Sequence, residues 1–211
     1  MLLLSDPSVA AVPIRECGEA LVDLHERGGL LVDARKRHDS PGAWAQLRAG
    51  VLTRLMQADA ALPAGVRLLL IEGYRPPQLQ QRYFAEYRQR LQTAHPDWTD
   101  RQLDDEASKY VSPPAVAPHS CGAAIDLTLW ADGAELDLGT PINASPLDSD
   151  NACFTAADNI GFDARERRNL LIDALSGVGL VNYPTEWWHW SYGDRYWAVA
   201  TGAPAALFGP V

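Results

Sequence analysis

Two histidines, an aspartate, a glutamate and an arginine carry the chemistry this sequence could perform. His119 and Asp126 flank Gly122 with six residues between them, and the apolar run Ile125-Asp126-Leu127-Thr128-Leu129 follows. An imidazole nitrogen and a carboxylate oxygen are both good zinc ligands. A pair does not hold a catalytic metal, because such sites take three protein ligands and leave a fourth position for water. The third candidate lies far downstream, at His189 in Glu186-Trp187-Trp188-His189. These two stretches are expected to meet around one zinc ion per chain, in a hydrolase.

A straight strand would put positions 119 and 126 on opposite faces, since their separation is odd. Convergence on one ion therefore requires a turn or bulge near Gly122. Glu186 stands after Pro184 and beside Trp187 and Trp188. Desolvation there disfavours the ionised carboxylate and moves its proton affinity toward general-base work near neutrality. A tryptophan-rich core strand is the plainer reading of this run, but such a strand seldom hosts both Glu and His, since each needs a partner. Arg75, between Tyr74 and Pro76 at the end of an aliphatic run, is placed to face a cleft, where its fork could hold an oxyanion or a carboxylate. The alternative for Arg75 is an ion pair with Glu72. His25, His38 and His95 fall in charged or helical surroundings and read as surface residues.

These residues need elements to position them. Short apolar runs around Val12–Ile14 and Leu30–Asp33 read as edge strands or extended segments, and Arg35–Gly42 as a loop. From Ala43 to Ala61 the apolar positions recur at helical spacing (Leu47, Val51, Leu55, Ala58), and Pro63 and Gly65 end the helix. Val66–Ile71 reads as a buried strand; a helix is expected from about Pro77 to His95, and another over Trp98–Val111 capped by Thr99 or Asp100. Ser112–Pro118, with three prolines, should be extended. Ala124–Trp130 reads as a central strand, Asp132–Ala157 as a long loop, and Ala164–Gly177 as a helix. Leu180–Tyr183, Trp187–Tyr192 and Trp197–Ala200 finish the core. Without a regular strand–helix–strand rhythm, the order favours an α+β fold. No repeat or linker divides residues 1–211, so one catalytic domain is expected.

Composition narrows the function further. A formal charge of −9 over 211 residues disfavours nucleic acid as a partner. Cys17, Cys121 and Cys153 are odd in number and lack close metal-type spacing, which fits a reducing compartment better than a disulfide framework. Cys121 is read as structural. The run Met1–Leu4 is too short for a signal peptide or a membrane span, so a cytoplasmic protein without a membrane partner is expected. The sequence leaves the oligomeric state open.

Gly-Tyr-Arg-Pro at 73–76, His-x-x-Gly-x-Ala-x-Asp at 119–126 and Glu-Trp-Trp-His at 186–189 occur together in this order. In this the chain resembles the zinc-dependent D-alanyl-D-alanine dipeptidases, and more broadly the zinc D,D-peptidases that share a fold with the hedgehog signalling domain. The likeness covers roughly residues 12–200. It implies a small central antiparallel sheet flanked by helices. It also implies that His119, Asp126 and His189 bind zinc, that Glu186 is the base, that Arg75 stabilises the transition state and that the substrate is a small peptide. Two positions depart from the family: Ala117 replaces a serine often found there, and Asn143 stands where an aspartate would meet a substrate ammonium group. An amide lacks that negative charge. Two other readings remain: a D,D-carboxypeptidase or amidase acting on a larger peptide, and a non-catalytic zinc-binding module of the same fold. The second has no use for Glu186 and Arg75.

Overall fold

The computed structural model describes residues 1–211. In chain order the elements are α1 (Pro7–Ala11), β1 (Leu21–Asp23), α2 (Leu24–Arg27), β2 (Leu31–Val32), β3 (Gln46–Arg48), α3 (Ala49–Ala61), β4 (Arg67–Glu72), α4 (Pro77–Ala94) and α5 (Asp100–Ala107). There follow β5 (Ala124–Ala131), β6 (Ala134–Glu135), α6 (Phe162–Ser176), β7 (Val181–Asn182), β8 (His189–Ser191) and α7 (Arg195–Thr201). Single 3-10 turns occupy Ala43–Ala45, Pro114–Val116 and His119–Cys121.

The main sheet runs β2-β4-β5-β8-β7, with β6 paired to β5, and helices surround it in the expected α+β arrangement. All its pairings are antiparallel except the one at its edge, where β2 runs parallel to β4. β5 lies in the middle because its residues 124–129 are buried, so both faces must be covered. Leu127 and Leu129 join Leu55 of α3, Leu171 and Leu175 of α6, and Trp188 and Trp190 in the principal core cluster.

The 124–131, 67–72, 77–94 and 162–176 elements lie within a few residues of the sequence expectation. Thr99 caps α5 in a complete capping box with Gln102, although the regular helix stops at Ala107. Other expectations are corrected. The helix foreseen from Ala43 begins only at Ala49, because Gln46–Arg48 pairs with Leu21–Asp23 as a two-stranded sheet. Leu47, buried in that pair, happens to continue the helical spacing of α3, so periodicity alone ran the two together. Ser112–Pro118 is not extended throughout; a 3-10 turn starts at Pro114, where proline's fixed φ suits a first turn. Residues 195–201 finish the core as a helix, capped by the Asp194 side chain. Around Val12–Ile14 only a single bridge, Ile14 to Ala206, forms.

Candidate metal centre and active site

Sheet register builds the site. Asp126 on β5 is paired with His189 on β8 and, across the other edge of its strand, with Glu72 on β4. Directly opposed residues share a face, so three polar side chains from distant parts of the chain stand in one row. The pairing of β4 with β5 shifts between Leu70 and Glu72, and this irregularity brings Glu72 level with Asp126.

His119 reaches the same point by the turn that its odd spacing demanded. His119–Cys121 forms a 3-10 turn, and Gly122 follows in the left-handed region at φ 65°. A Cβ at Gly122 would lie 2.2 Å from the Leu21 side chain, so both its backbone conformation and its surroundings call for glycine. Gly73 is equally constrained: a Cβ there would lie 2.4 Å from the Gln46 carbonyl. This close approach lets the Gly73 carbonyl accept a 2.7 Å hydrogen bond from His119 Nδ1.

That bond fixes the tautomer, because a carbonyl can only accept. His119 Nε2 therefore presents a lone pair. It lies 3.1 Å from His189 Nδ1 and 3.3 Å from Asp126 Oδ1, while His189 Nδ1 lies 3.0 Å from the same oxygen. Ligand atoms arranged tetrahedrally around zinc at about 2.0–2.1 Å stand roughly 3.3 Å apart, so the triangle has the size of one face of a zinc site. His189 Nε2 is buried and has no hydrogen-bond partner, and the Tyr183 ring packs edge-on against the imidazole. All three side chains are buried, and their two nitrogens and one oxygen form a donor set that zinc accepts.

Burial opposes ionisation of Asp126, yet the two histidines outweigh it and hold the carboxyl below its usual range. Burial also lowers the proton affinity of His189, which favours the neutral form that a ligand needs. Glu186 behaves in the opposite way. Burial, and then the negative charge of Asp126, push its carboxyl well above the ordinary value. Its Oε2 lies 3.8 Å from His189 Nδ1, and no hydrogen bond holds its ionised form. Asn182 braces this turn by donating to the carbonyls of both Glu186 and His189, each at 3.0 Å.

The ion pair of Arg75 with Glu72 is present, and it does not remove Arg75 from the cavity. Nε and one terminal nitrogen meet the two Glu72 oxygens at 2.7 and 2.8 Å, and the other terminal nitrogen donates to Gln80 Oε1 at 2.9 Å. Three of the five guanidinium N–H bonds are used, and the fork lines a cavity of about 250 Å³ together with Lys36, Tyr83, Tyr110 and Asn143. Glu72 raises the proton affinity of Arg75 against the effect of burial. The backbone locks the two motifs together: Arg75 N–H donates to the His119 carbonyl and the Ser120 hydroxyl to the Arg75 carbonyl.

Asn143 lines the cavity with a positive φ of 64°, and its carbonyl accepts from Tyr110. The Tyr110 phenol is pushed up to about 12 by burial and then by the charge of Glu186. Cys121 stays outside the cluster; burial pushes its thiol up to about 12, and it donates weakly to the Ala117 carbonyl. His25 and His38 are exposed and His95 stacks on Trp98, none of them near the site. Gln80, Tyr110, Lys36 and Asn182 carried no signal in the sequence, because each acts through a partner on another element.

A family model described as D-Ala-D-Ala dipeptidase, peptidase M15, matches residues 38–202. The chain belongs to this family. A curated D-alanyl-D-alanine dipeptidase from Synechocystis sp. is 32% identical over 219 residues, covering 89% of this chain and 87% of the relative. Family membership makes the chain a metallopeptidase. Among solved structures, a vancomycin resistance D,D-pentapeptidase VanY in complex with Zn(II) superposes with a TM-score of 0.51 at 20% identity, covering 96% of each chain. VanYB in complex with D-alanine-D-alanine gives the same TM-score and identity over 93% of this chain and 94% of its own. At that identity the two structures establish a shared M15 fold.

Proposed function

We propose that residues 1–211 form one catalytic domain that hydrolyses the peptide bond of D-alanyl-D-alanine or a similar dipeptide, with zinc held by His119, Asp126 and His189. The observation that carries this reading is the triangle of ligand atoms 3.0–3.3 Å apart, in which Gly73 forces a lone pair of His119 inward. When bound, zinc supplies a Lewis acid that acidifies a water and polarises the scissile carbonyl.

The chain's own residues do the rest. Glu186, desolvated and free of hydrogen bonds, takes a proton on its carboxylate as water attacks and returns it to the leaving amine. Arg75 offers its two remaining N–H bonds to the oxygen that gains negative charge, and Glu72 and Gln80 hold the fork still while it does so. Asn143 and Tyr110 shape the wall beside the substrate. The Synechocystis relative, a D-alanyl-D-alanine dipeptidase, and the small cavity support a small peptide substrate. No helix is long and apolar enough to cross a membrane; a cytoplasmic role in the turnover of peptidoglycan-type dipeptides is part of the proposal.

Zinc-loaded protein and its Glu186→Gln variant, incubated with D-Ala-D-Ala and with L-Ala-L-Ala, provide the test through released alanine. The wild type is expected to cleave the D,D compound. The variant should lose roughly a thousandfold in kcat while retaining one zinc per chain by elemental analysis. Full activity in the variant would overturn the role of Glu186, and loss of zinc from a folded His119→Ala protein without loss of activity would overturn the metal assignment.

A further inference from the structure

A carboxylate that grips an arginine also cancels its charge. Arg75 meets Glu72 through two hydrogen bonds of 2.7 and 2.8 Å, so an oxygen gaining negative charge in front of the fork faces a pair whose formal charges sum to zero. Glu72 is fully buried, and solvent does little to weaken its hold. A second cation shares this carboxylate. Lys36, from the turn between β2 and β3, places Nζ 3.3 Å from Glu72 Oε2, the same oxygen that accepts from a terminal nitrogen of Arg75. Lys36 and Arg75 are the two cations within ion-pair distance of Glu72, and the three groups together carry a net positive charge.

This setting is unlike that of a surface ion pair. The Lys36 side chain is only 16% exposed. Its Nζ lies 5.4 Å from the centre of the Tyr83 ring, over which the Arg75 guanidinium also lies at 5.1 Å. Two cations gathered at one ring repel each other, and the buried carboxylate they share holds them there. The turn that delivers Lys36 is fastened by its backbone: Trp44 Nε1 donates to the Asp33 carbonyl at 2.9 Å, and the Asp39 N–H donates to the Lys36 carbonyl at 3.1 Å. Asp39 also lies 3.6 Å from Lys36 Nζ, but its side chain is 39% exposed, and solvent screens that pair more than the one with Glu72. A lysine suits this position because its compact ammonium meets one carboxylate oxygen and leaves Oε1 to Arg75 Nε.

Resting on the metallopeptidase reading above, we propose that Lys36 is a positioning residue for the hydrolysis: it acts through Glu72, holding that carboxylate behind the Arg75 fork and taking up part of its charge. Glu72 then grips Arg75 without neutralising it, and the fork keeps its positive character toward the oxygen that becomes anionic.

Steady-state kinetics of zinc-loaded Lys36→Met protein on D-Ala-D-Ala provide the test, with urea midpoints to check that each variant folds. Both kcat and kcat/KM are expected to fall roughly 10- to 50-fold with KM within about twofold, because the interaction strengthens only as the oxygen becomes anionic. Lys36→Arg, which keeps the charge, should stay within about fivefold of the wild type. In a Glu72→Gln background, where Lys36 has no charge to offset, Lys36→Met should lower kcat less than about threefold. A Lys36→Met kcat within about twofold of the wild type, a rise in KM alone, or an equal loss in Lys36→Arg would overturn the proposal. So would an undiminished effect in the Glu72→Gln background. Calorimetry with a phosphinate analogue of D-Ala-D-Ala, whose tetrahedral anion imitates the attacked carbonyl, needs no turnover. Binding about tenfold weaker in Lys36→Met and restored in Lys36→Arg, with no hydrolysis of D-Ala-D-Ala by the wild type, would uphold the role of Lys36 and remove the proposed function. Equal phosphinate binding by all three proteins would overturn the role of Lys36.

Discussion

Arg75 and Arg168 are both buried arginines that use all three nitrogens in hydrogen bonds, yet they stand in opposite electrostatic settings. Arg168 on α6 donates to the carbonyls of Leu138, Phe154 and Ala152 at 2.6–2.8 Å, and lies over the Trp187 ring. It has no carboxylate partner, and burial together with nearby Arg165 pulls its proton affinity down. It ties both ends of the long loop to the helix behind the site. Arg75 is gripped by the Glu72 carboxylate, which pushes its proton affinity up, and it faces the cavity. Fixed carbonyls satisfy a charge whose task is to hold chain segments together. A carboxylate behind the fork leaves two N–H bonds at its front free for a ligand.

The largest effect expected from this contrast is catalytic. Arg75→Lys keeps a charge but loses the fork, and kcat per folded molecule should fall roughly 100- to 1,000-fold. A change in KM alone would make Arg75 a substrate clamp. Arg168→Met should show the reverse profile: a loss of about 3 kcal/mol in urea unfolding, from carbonyls left without donors, and kcat per folded molecule within about twofold. Equal catalytic losses in both variants would dissolve the distinction.

The Arg75–Glu72 pair also predicts a pH dependence. Burial opposes ionisation of Glu72, but Arg75 and then Lys36 hold its folded-state pKa at about 2, below the ordinary 4.5. A depressed carboxyl pKa contributes stability that is fully present above about pH 4.5 and is lost as pH falls from there toward 2. Between pH 6 and 3 the wild type should lose on the order of 2 kcal/mol more stability in urea unfolding than Glu72→Gln, which keeps only the decline due to other depressed carboxyls such as Asp126. The smallest effect concerns the turn that carries Glu186. Asn182→Ala removes the brace on the Glu186 and His189 carbonyls and should cost about 1 kcal/mol, with kcat lowered severalfold. An unaltered kcat would show that the strand pairing of β8 holds the turn without it.

Much of the site was legible because its chemistry is written in residue types that a core does not tolerate without reason. Glu186 and His189 among tryptophans, and His119 and Asp126 around a glycine, marked themselves by polarity in apolar runs. Arg75 marked itself by its place at the end of an aliphatic strand. The elements that carry them were legible where period and caps agreed, as in β5, α4 and the Thr99 cap. They were misread where two elements shared one spacing, as at Leu47, or where proline suited a turn as well as an extended chain, as at Pro114.

The sequence by itself determined the reactive groups, the need for a turn at Gly122 and a central strand through Asp126, because these follow from side-chain chemistry and local backbone preference. Tertiary structure alone decided that Glu72, Asp126 and His189 form one row, that Gly73 sets the His119 tautomer, and that Gln80 and Glu72 aim Arg75. Strand register and close backbone approach join residues tens of positions apart, and no spacing along the chain encodes that distance.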